Sequence, residues 1–324
     1  MSGGSGLDRT GRGRGTGDMT GVGAAEAVVE AGWTDPRFRA GLARAFPGWG
    51  GEAHSRFYLA RDLGEGAPEL VAIEHGDELV AAVAINYRRL RTADGGEARA
   101  GILTGGWTLP EARRRGRFRR LAAAAARRAA ERGARWLLGF VTADNASARG
   151  MAALGSTLVP AWYCASGERT AGAEADSEAP PRSASWDALA EAFARDRLGT
   201  TAFGYRDTVA WRSQFVDRPD PVEAVRVGRA RALIERAAGT DRLLLVCPGE
   251  AEAAVLPVLA TRAHAAGRRF FCYVTDAGRR RAALAAGLTS RPGFVTVLPC
   301  PPPAAGGQPA RPPQRWNLSA GDRM

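Results

Sequence analysis

The sequence predicts a mixed α+β protein of two tandem blocks, each a mixed, mostly antiparallel sheet flanked by helices. Three observations carry this. Short apolar runs rich in Val, Ile and Leu alternate with Ala- and Arg-rich helical periods. At 324 residues the chain is long enough for about two domains. The order strand, helix, strand, helix occurs twice, Phe140-Val141-Thr142 leading to Leu154-Gly155 and Tyr273-Val274-Thr275 leading to Ala286-Gly287, which points to a duplicated unit.

In chain order, residues 1–24 are rich in Gly, Ser, Thr and Arg and read as a flexible leader. The first folded block spans 25–165. It opens with helical material around 36–46, followed by a hairpin whose strands, 69–76 and 78–92, meet at Gly76-Asp77. A third strand, 98–109, leads to a helix over 117–133. Phe118, Leu121, Ala122, Ala125 and Ala129 share one face of that helix, arginines occupy much of the other, and Gly133 ends it. A strand over 134–142 and a short helix closed by Gly155 complete the block. Residues 166–185 lack apolar periodicity and read as a linker. In the second block, 186–300, strands fall at 242–248 and 268–275, with helices at 250–267 (Pro257 inside) and at 276–287. The segment from Phe203 to Trp211 and Arg212 mixes aromatics with arginines and reads as a packing helix that could set Trp211 over a groove. Residues 301–324 read as a mobile Pro-rich tail, pinned at Trp316.

Composition limits the chemistry. All 45 basic residues are arginine, against 34 acidic ones, so the net charge is +11 and no lysine can serve as base or Schiff-base nucleophile. Four cysteines at 164, 247, 272 and 300 suit neither a disulfide framework nor a Cys-x-x-Cys metal site and read as small apolar packing residues. With three histidines besides, no metal is expected. The absence of a long apolar run argues against a membrane span, and a cytoplasmic setting is expected.

The richest stretch is Gly106-Trp107-Thr108-Leu109-Pro110-Glu111 running into Arg113-Arg114-Arg115-Gly116-Arg117-Phe118. A strand that ends just before a helix presents several main-chain N–H groups of the first turn, and with the helix dipole they suit a phosphate. Six arginines between 113 and 120 add positive potential, though helical spacing turns several of them to water.

Here the chain resembles the GNAT superfamily of acyl-CoA-dependent N-acetyltransferases, whose signature Arg/Gln-x-x-Gly-x-Gly/Ala reads as Arg113 to Phe118. The resemblance extends over about 70–160 and is weak over 200–298. It implies acetyl-CoA as co-substrate, with the amides from Arg114 to Phe118 on its pyrophosphate. It also implies main-chain groups of Trp107, Thr108 and Leu109 on the pantetheine arm and thioester, and Asn145 on the arm near the second strand. Phe118 replaces the usual small residue. The glutamate that relatives carry on the third strand is replaced by Ile102, Leu103 and Thr104, and the tyrosine after Asn145 by Met151, Ala152 and Ala153. Glu74, beside His75, and Tyr163 remain as candidate base and acid. The turn Cys247-Pro248-Gly249-Glu250 lacks the motif, so the second block is expected to be a degenerate copy that shapes the acceptor cleft without binding CoA.

The expected reaction is transfer of an acetyl group to a primary amine, of a small molecule or a peptide, by direct attack in a ternary complex. A cleft rimmed by Glu74, Asp77 and Glu111 would favour a cationic acceptor. The rival readings are a non-catalytic acyl-CoA-binding or regulatory protein and, ranked lower because aromatics are sparse near the arginine cluster, a nucleic-acid-binding protein. The sequence leaves the oligomeric state open.

Overall fold

A computed structural model describes residues 26–48, 51–167, 186–302 and 310–323. The expected leader, and residues 168–185 of the expected linker, lie outside the described residues.

The first block runs β1 (Glu26–Ala31), α1 (Pro36–Ala45), α2 (Gly51–Leu59), β2 (Glu69–His75), β3 (Glu78–Arg91), β4 (Glu97–Thr108), α3 (Arg117–Glu131), β5 (Ala134–Thr142), α4 (Ala146–Ala152) and β6 (Thr157–Ala165). After the linker come α5 (Trp186–Asp196), β7 (Ala202–Gly204), α6 (Thr208–Phe215), β8 (Val222–Val227), β9 (Ala230–Ala237), β10 (Thr240–Cys247), α7 (Glu252–Ala265), β11 (Arg269–Val274), α8 (Ala277–Ala285) and β12 (Thr289–Pro299). Local chemistry sets the helix starts. Asp35, Asn145, Asp207 and Asp276 each accept a first-turn amide through the side chain, and Pro36 follows Asp35 as the first helical residue.

The strands form one sheet in the order β1-β2-β3-β4-β5-β12-β6-β11-β10-β9-β8, with β7 added against β3. The order is symmetric about its middle. Strands β2 to β6 of the first half correspond to β8 to β12 of the second, and β4–β5 and β10–β11 are both parallel pairs. Each half gives its last strand to the other: β12 lies between β5 and β6, and β6 pairs with both β12 and β11. Through this exchange hydrogen bonding carries the sheet across the boundary between 25–165 and 186–300. Sequence periodicity finds a strand but not its neighbour.

The tail also departs from expectation. Beyond residue 310 it is packed: Leu318 and Asp322 are fully buried and Trp316 nearly so. Thr201 bridges Trp316, and Asp322 pairs with the buried Arg197 at 2.7 Å. Proline excludes regular ladders, but it leaves side chains free to anchor the segment. Trp211 is buried and stacks on Phe215, with ring centroids 5.3 Å apart, inside the α5–α6 core. All four cysteines are buried thiols, and burial pushes Cys247 and Cys300 up to about 12.

Candidate functional site

The site begins where β4 and β5 part. Their ladder holds only from Arg99 to Ile102 against Ala134 to Leu138, yet β4 continues to Thr108 and β5 to Thr142. Two residues beyond Ile102 the register of β4 on β3 shifts, and Gly105 takes φ 56°, a left-handed conformation that leaves glycine unstrained. The bulge bends β4 away from β5 and opens a wedge between two parallel strands.

Past the bulge, Trp107 faces Ala82 and Leu109 donates its N–H to Val80 O at 3.0 Å. Antiparallel ladders alternate, so Trp107 and Leu109 turn their main chains to β3 while Thr108 turns its own into the wedge. Trp107 and Leu109 are therefore corrected as main-chain contacts for a bound arm, and Thr108 is the residue of the three that faces the opening. The Trp107 ring belongs to the core: it lies 6.0 Å from Phe38 and fills the space beside Gly41. The Thr108 carbonyl accepts from Arg113 Nε at 3.2 Å.

After a short turn over Pro110–Ala112 the chain enters α3 through exposed residues 113–116. Arg114 has φ 63°, and Gly116 caps the helix at φ 70°, ψ 8°. Among the described residues, no protein group accepts from the main-chain N–H of Arg114, Arg115 or Gly116. A Cβ placed on Gly116 would meet nothing within 4 Å. The bend is open, and its donors face solvent together with the first turn of α3.

Two residues of the motif point elsewhere. The Arg117 guanidinium is 3 % exposed; it donates to Ala112 O and pairs with Glu26 of β1, which also holds Arg120. The Arg117 side chain thus braces the loop from beneath. Phe118 is accommodated by two glycines. Its ring passes 3.9 Å from the Cβ position of Gly106 and 2.9 Å from that of Gly150, so the bulky residue packs between β4 and α4 without closing the bend. Asn145 is the N-cap of α4, its Oδ1 accepting from Ser147 N at 2.9 Å.

On the sheet face carrying α2, a cavity of about 710 Å³ adjoins the bulge. Thr104, Gly105 and Gly106 form one wall. His54 and Tyr58 of α2, Phe140 of β5 and Tyr163 of β6 flank it, and β9, β10, β11 and Arg323 of the tail close the far side. Tyr163 thus lines the cavity. Burial raises its pKa and keeps the phenol protonated, while Arg323 lies 4.5 Å above its ring. Glu74 does not: it ends β2, pairs with Arg37 at 2.5 Å and lines no part of the cavity. Glu111 is tied to Arg44, and neither it nor Asp77 lines the cavity, so the expected acidic rim is corrected as well. Glu74 and Asp77 lie at the turn between β2 and β3, and Glu111 lies in the turn after β4.

Sequence reasoning missed His54. It sits half-buried on α2 beside Tyr58, with ring centroids 4.3 Å apart, and burial lowers its pKa so that the imidazole is neutral at pH 7. The signal available was the spacing of His54 and Tyr58, four residues apart on one helix face.

Residues 36–145, from α1 to the cap of α4, match the family model described as acetyltransferase (GNAT) domain. This segment is similar to a GNAT domain. The match takes in the bulged strand, the open bend and the start of α3. No curated protein matches the chain in sequence. Among solved structures, a tandem GNAT protein from the clavulanic acid biosynthesis pathway is 13% identical, with 86% of this chain and 100% of that one covered at a TM-score of 0.55. A GCN5-related N-acetyltransferase from Sphaerobacter thermophilus is 17% identical over 84% and 94%, TM-score 0.54. A probable N-acyltransferase from Enterococcus faecalis V583 is 10% identical over 84% and 72%, TM-score 0.55. At these identities the likeness is one of fold, and the fold is that of tandem GNAT proteins.

The second half repeats the GNAT strand order without its open bend. β10 carries its own register shift between Leu243 and Leu245. At the turn that follows, however, Asp196 Oδ1 accepts from Gly249 N at 2.7 Å, and Glu252, raised in pKa by burial, pairs with Arg279 at 3.2 Å. A carboxylate from α5 thus takes up a main-chain donor at this turn, whereas the bend of the first half leaves its donors open.

Proposed function

We propose that the chain is an N-acetyltransferase that moves the acetyl group of acetyl-CoA to a primary amine by direct attack in a ternary complex. The observation that carries this reading is the open bend at Arg114–Gly116, its N–H groups unspent, standing at the mouth of the β4–β5 wedge. The bend matches a diphosphate in charge and donor count, with Arg113, Arg114 and Arg115 adding positive potential. Thr108 offers main-chain groups to the arm that enters the wedge, and Asn145 stands beyond the end of β5 with its amide nitrogen free of the capping bond. The second half, its turn filled by Asp196, binds no CoA and walls the acceptor cavity.

The acceptor nitrogen loses a proton, attacks the thioester carbonyl and displaces the thiolate, which is then protonated. Holding the reactants side by side supplies part of the rate, on the order of 7–11 kcal/mol in ideal intramolecular cases. Main-chain N–H groups beside the bulge stabilise the developing oxyanion. His54, neutral at pH 7, takes the amine proton, and the Tyr163 phenol supplies one to the leaving sulfur. A non-catalytic acyl-CoA-binding protein is the second reading, favoured by Ile102, Leu103 and Thr104 where relatives carry a glutamate.

Two measurements separate these. A ligand that binds only the native state at a hundredfold excess over its Kd adds about 2.7 kcal/mol of stability, which thermal denaturation with acetyl-CoA detects. Thiol release across a panel of amines then distinguishes transfer from binding. A protein that acetyl-CoA does not stabilise at saturation refutes both readings.

A further inference from the structure

The wall of the acceptor cavity is rich in arginine. Arg218, Arg242, Arg269 and Arg323 line it, and Glu235 is the acidic residue among the lining. Glu235 is wholly buried and already shared, since Arg218 Nε donates to it at 2.7 Å and Arg242 Nη1 at 3.2 Å. Arg323 makes no ion pair among the described residues. Its guanidinium lies 4.5 Å from the Tyr163 ring, 5.0 Å from Tyr273 and 5.9 Å from Phe271, and its buried Nε has no hydrogen-bond partner. A half-buried cation left without an anion is costly, and such a group is a ready receptor for one.

The cation is also held in place. Asp322 beside it is clamped by Arg197 at 2.7 Å and by Ser319, and Gln214 donates to the Gly321 carbonyl. The tail therefore delivers Arg323 to the cavity at a fixed position, and little ordering remains to be paid when a ligand arrives. The neighbouring Phe140, Tyr163 and Phe271 supply an apolar surface for the body of a small molecule.

We infer that the acceptor is a small primary amine that also carries an anionic group, a carboxylate or a phosphate, bound by Arg323 together with Arg242 while the amine reaches toward the β4 bulge. This rests on the reading of the cavity as the acceptor site.

The test uses two matched pairs of amines with the full-length protein: tyrosine against tyramine, and phosphoethanolamine against ethanolamine. Thiol release gives kcat/KM for each, and calorimetry without acetyl-CoA gives binding. In at least one pair the anionic member exceeds its neutral counterpart by about tenfold or more, as expected for a charge-assisted hydrogen bond, and the pair that responds tells carboxylate from phosphate. R323Q abolishes that preference through KM while acetyl-CoA still stabilises the variant. R242Q, at a more exposed position, lowers the preference while Arg218 still pairs with Glu235. Equal or better use of tyramine and ethanolamine, or a preference that survives both substitutions, overturns the inference. So does binding of acetyl-CoA with no response to either anionic amine. Anionic amines that bind a protein deaf to acetyl-CoA would sink the acetyltransferase reading and leave the anion site standing.

Discussion

Gly116→Glu probes the bend directly, with Gly116→Ala as its control. Gly116 has φ 70° and ψ 8°, so any side chain there incurs the left-handed penalty, roughly 1 kcal/mol of stability for both variants. The space around the Cβ position is empty, so alanine should fold and leave binding of acetyl-CoA little changed. Glutamate adds a negative charge within about 5 Å of where the pyrophosphate would sit. Coulomb's law puts the repulsion at about 0.8 kcal/mol per phosphate charge in water and about 3 kcal/mol at an effective dielectric of about 20. Affinity should therefore fall between about fourfold and a few hundredfold for each charge, with the smaller loss at high salt. Calorimetric titration of acetyl-CoA into the three proteins, paired with thermal denaturation of each, measures both effects. If Gly116→Glu and Gly116→Ala bind acetyl-CoA equally, the anion does not sit on this bend and the reasoning fails.

Other outcomes follow from the same coordinates. Arg114→Gly removes a side chain from φ 63° and should stabilise the protein by up to about 1 kcal/mol, read from denaturant unfolding; a loss of stability would show that the exposed Arg114 side chain has a hidden partner. Asp322→Ala strips the carboxylate from the fully buried Arg197 pair and should cost about 3–5 kcal/mol, with the anionic-amine preference lost alongside because Arg323 is no longer held. His54 should give an acid limb in kcat/KM at a pKa below 6.5 that disappears in His54→Gln. The same depressed value means the unfolded chain binds the proton more readily, so this contribution to stability is present above pH 6.5 and is lost as pH falls through the folded pKa; a limb at or above pH 7 would contradict it.

Parts of the site were legible because they are local. The run Arg113 to Phe118, between an apolar strand and an Ala-rich helix, specifies a turn with exposed amides whatever surrounds it. Phe118, against the family pattern, turned out to be compatible with an open bend because Gly106 and Gly150 stand opposite its ring, a match between residues far apart in sequence. The main-chain roles expected of Trp107 and Leu109 depended on which side of β4 faces β3, and a bulge at Gly105 set that phase. Glu74 was chosen for its chemistry, but it stands at the hairpin turn, paired with Arg37.

What the chain by itself determined is the alternation of strands and helices, the open bend before α3 and the lack of its equivalent after β10, all fixed by short-range periodicity, turn residues and amide geometry. The exchange of β6 and β12 between halves, the placing of His54 and Tyr163 on one cavity, and the seating of Arg323 over three aromatic rings were decided by tertiary structure. Each of these depends on contacts between segments 50 or more residues apart. Such contacts arise from packing and charge pairing in the folded molecule, and no window of local sequence encodes them.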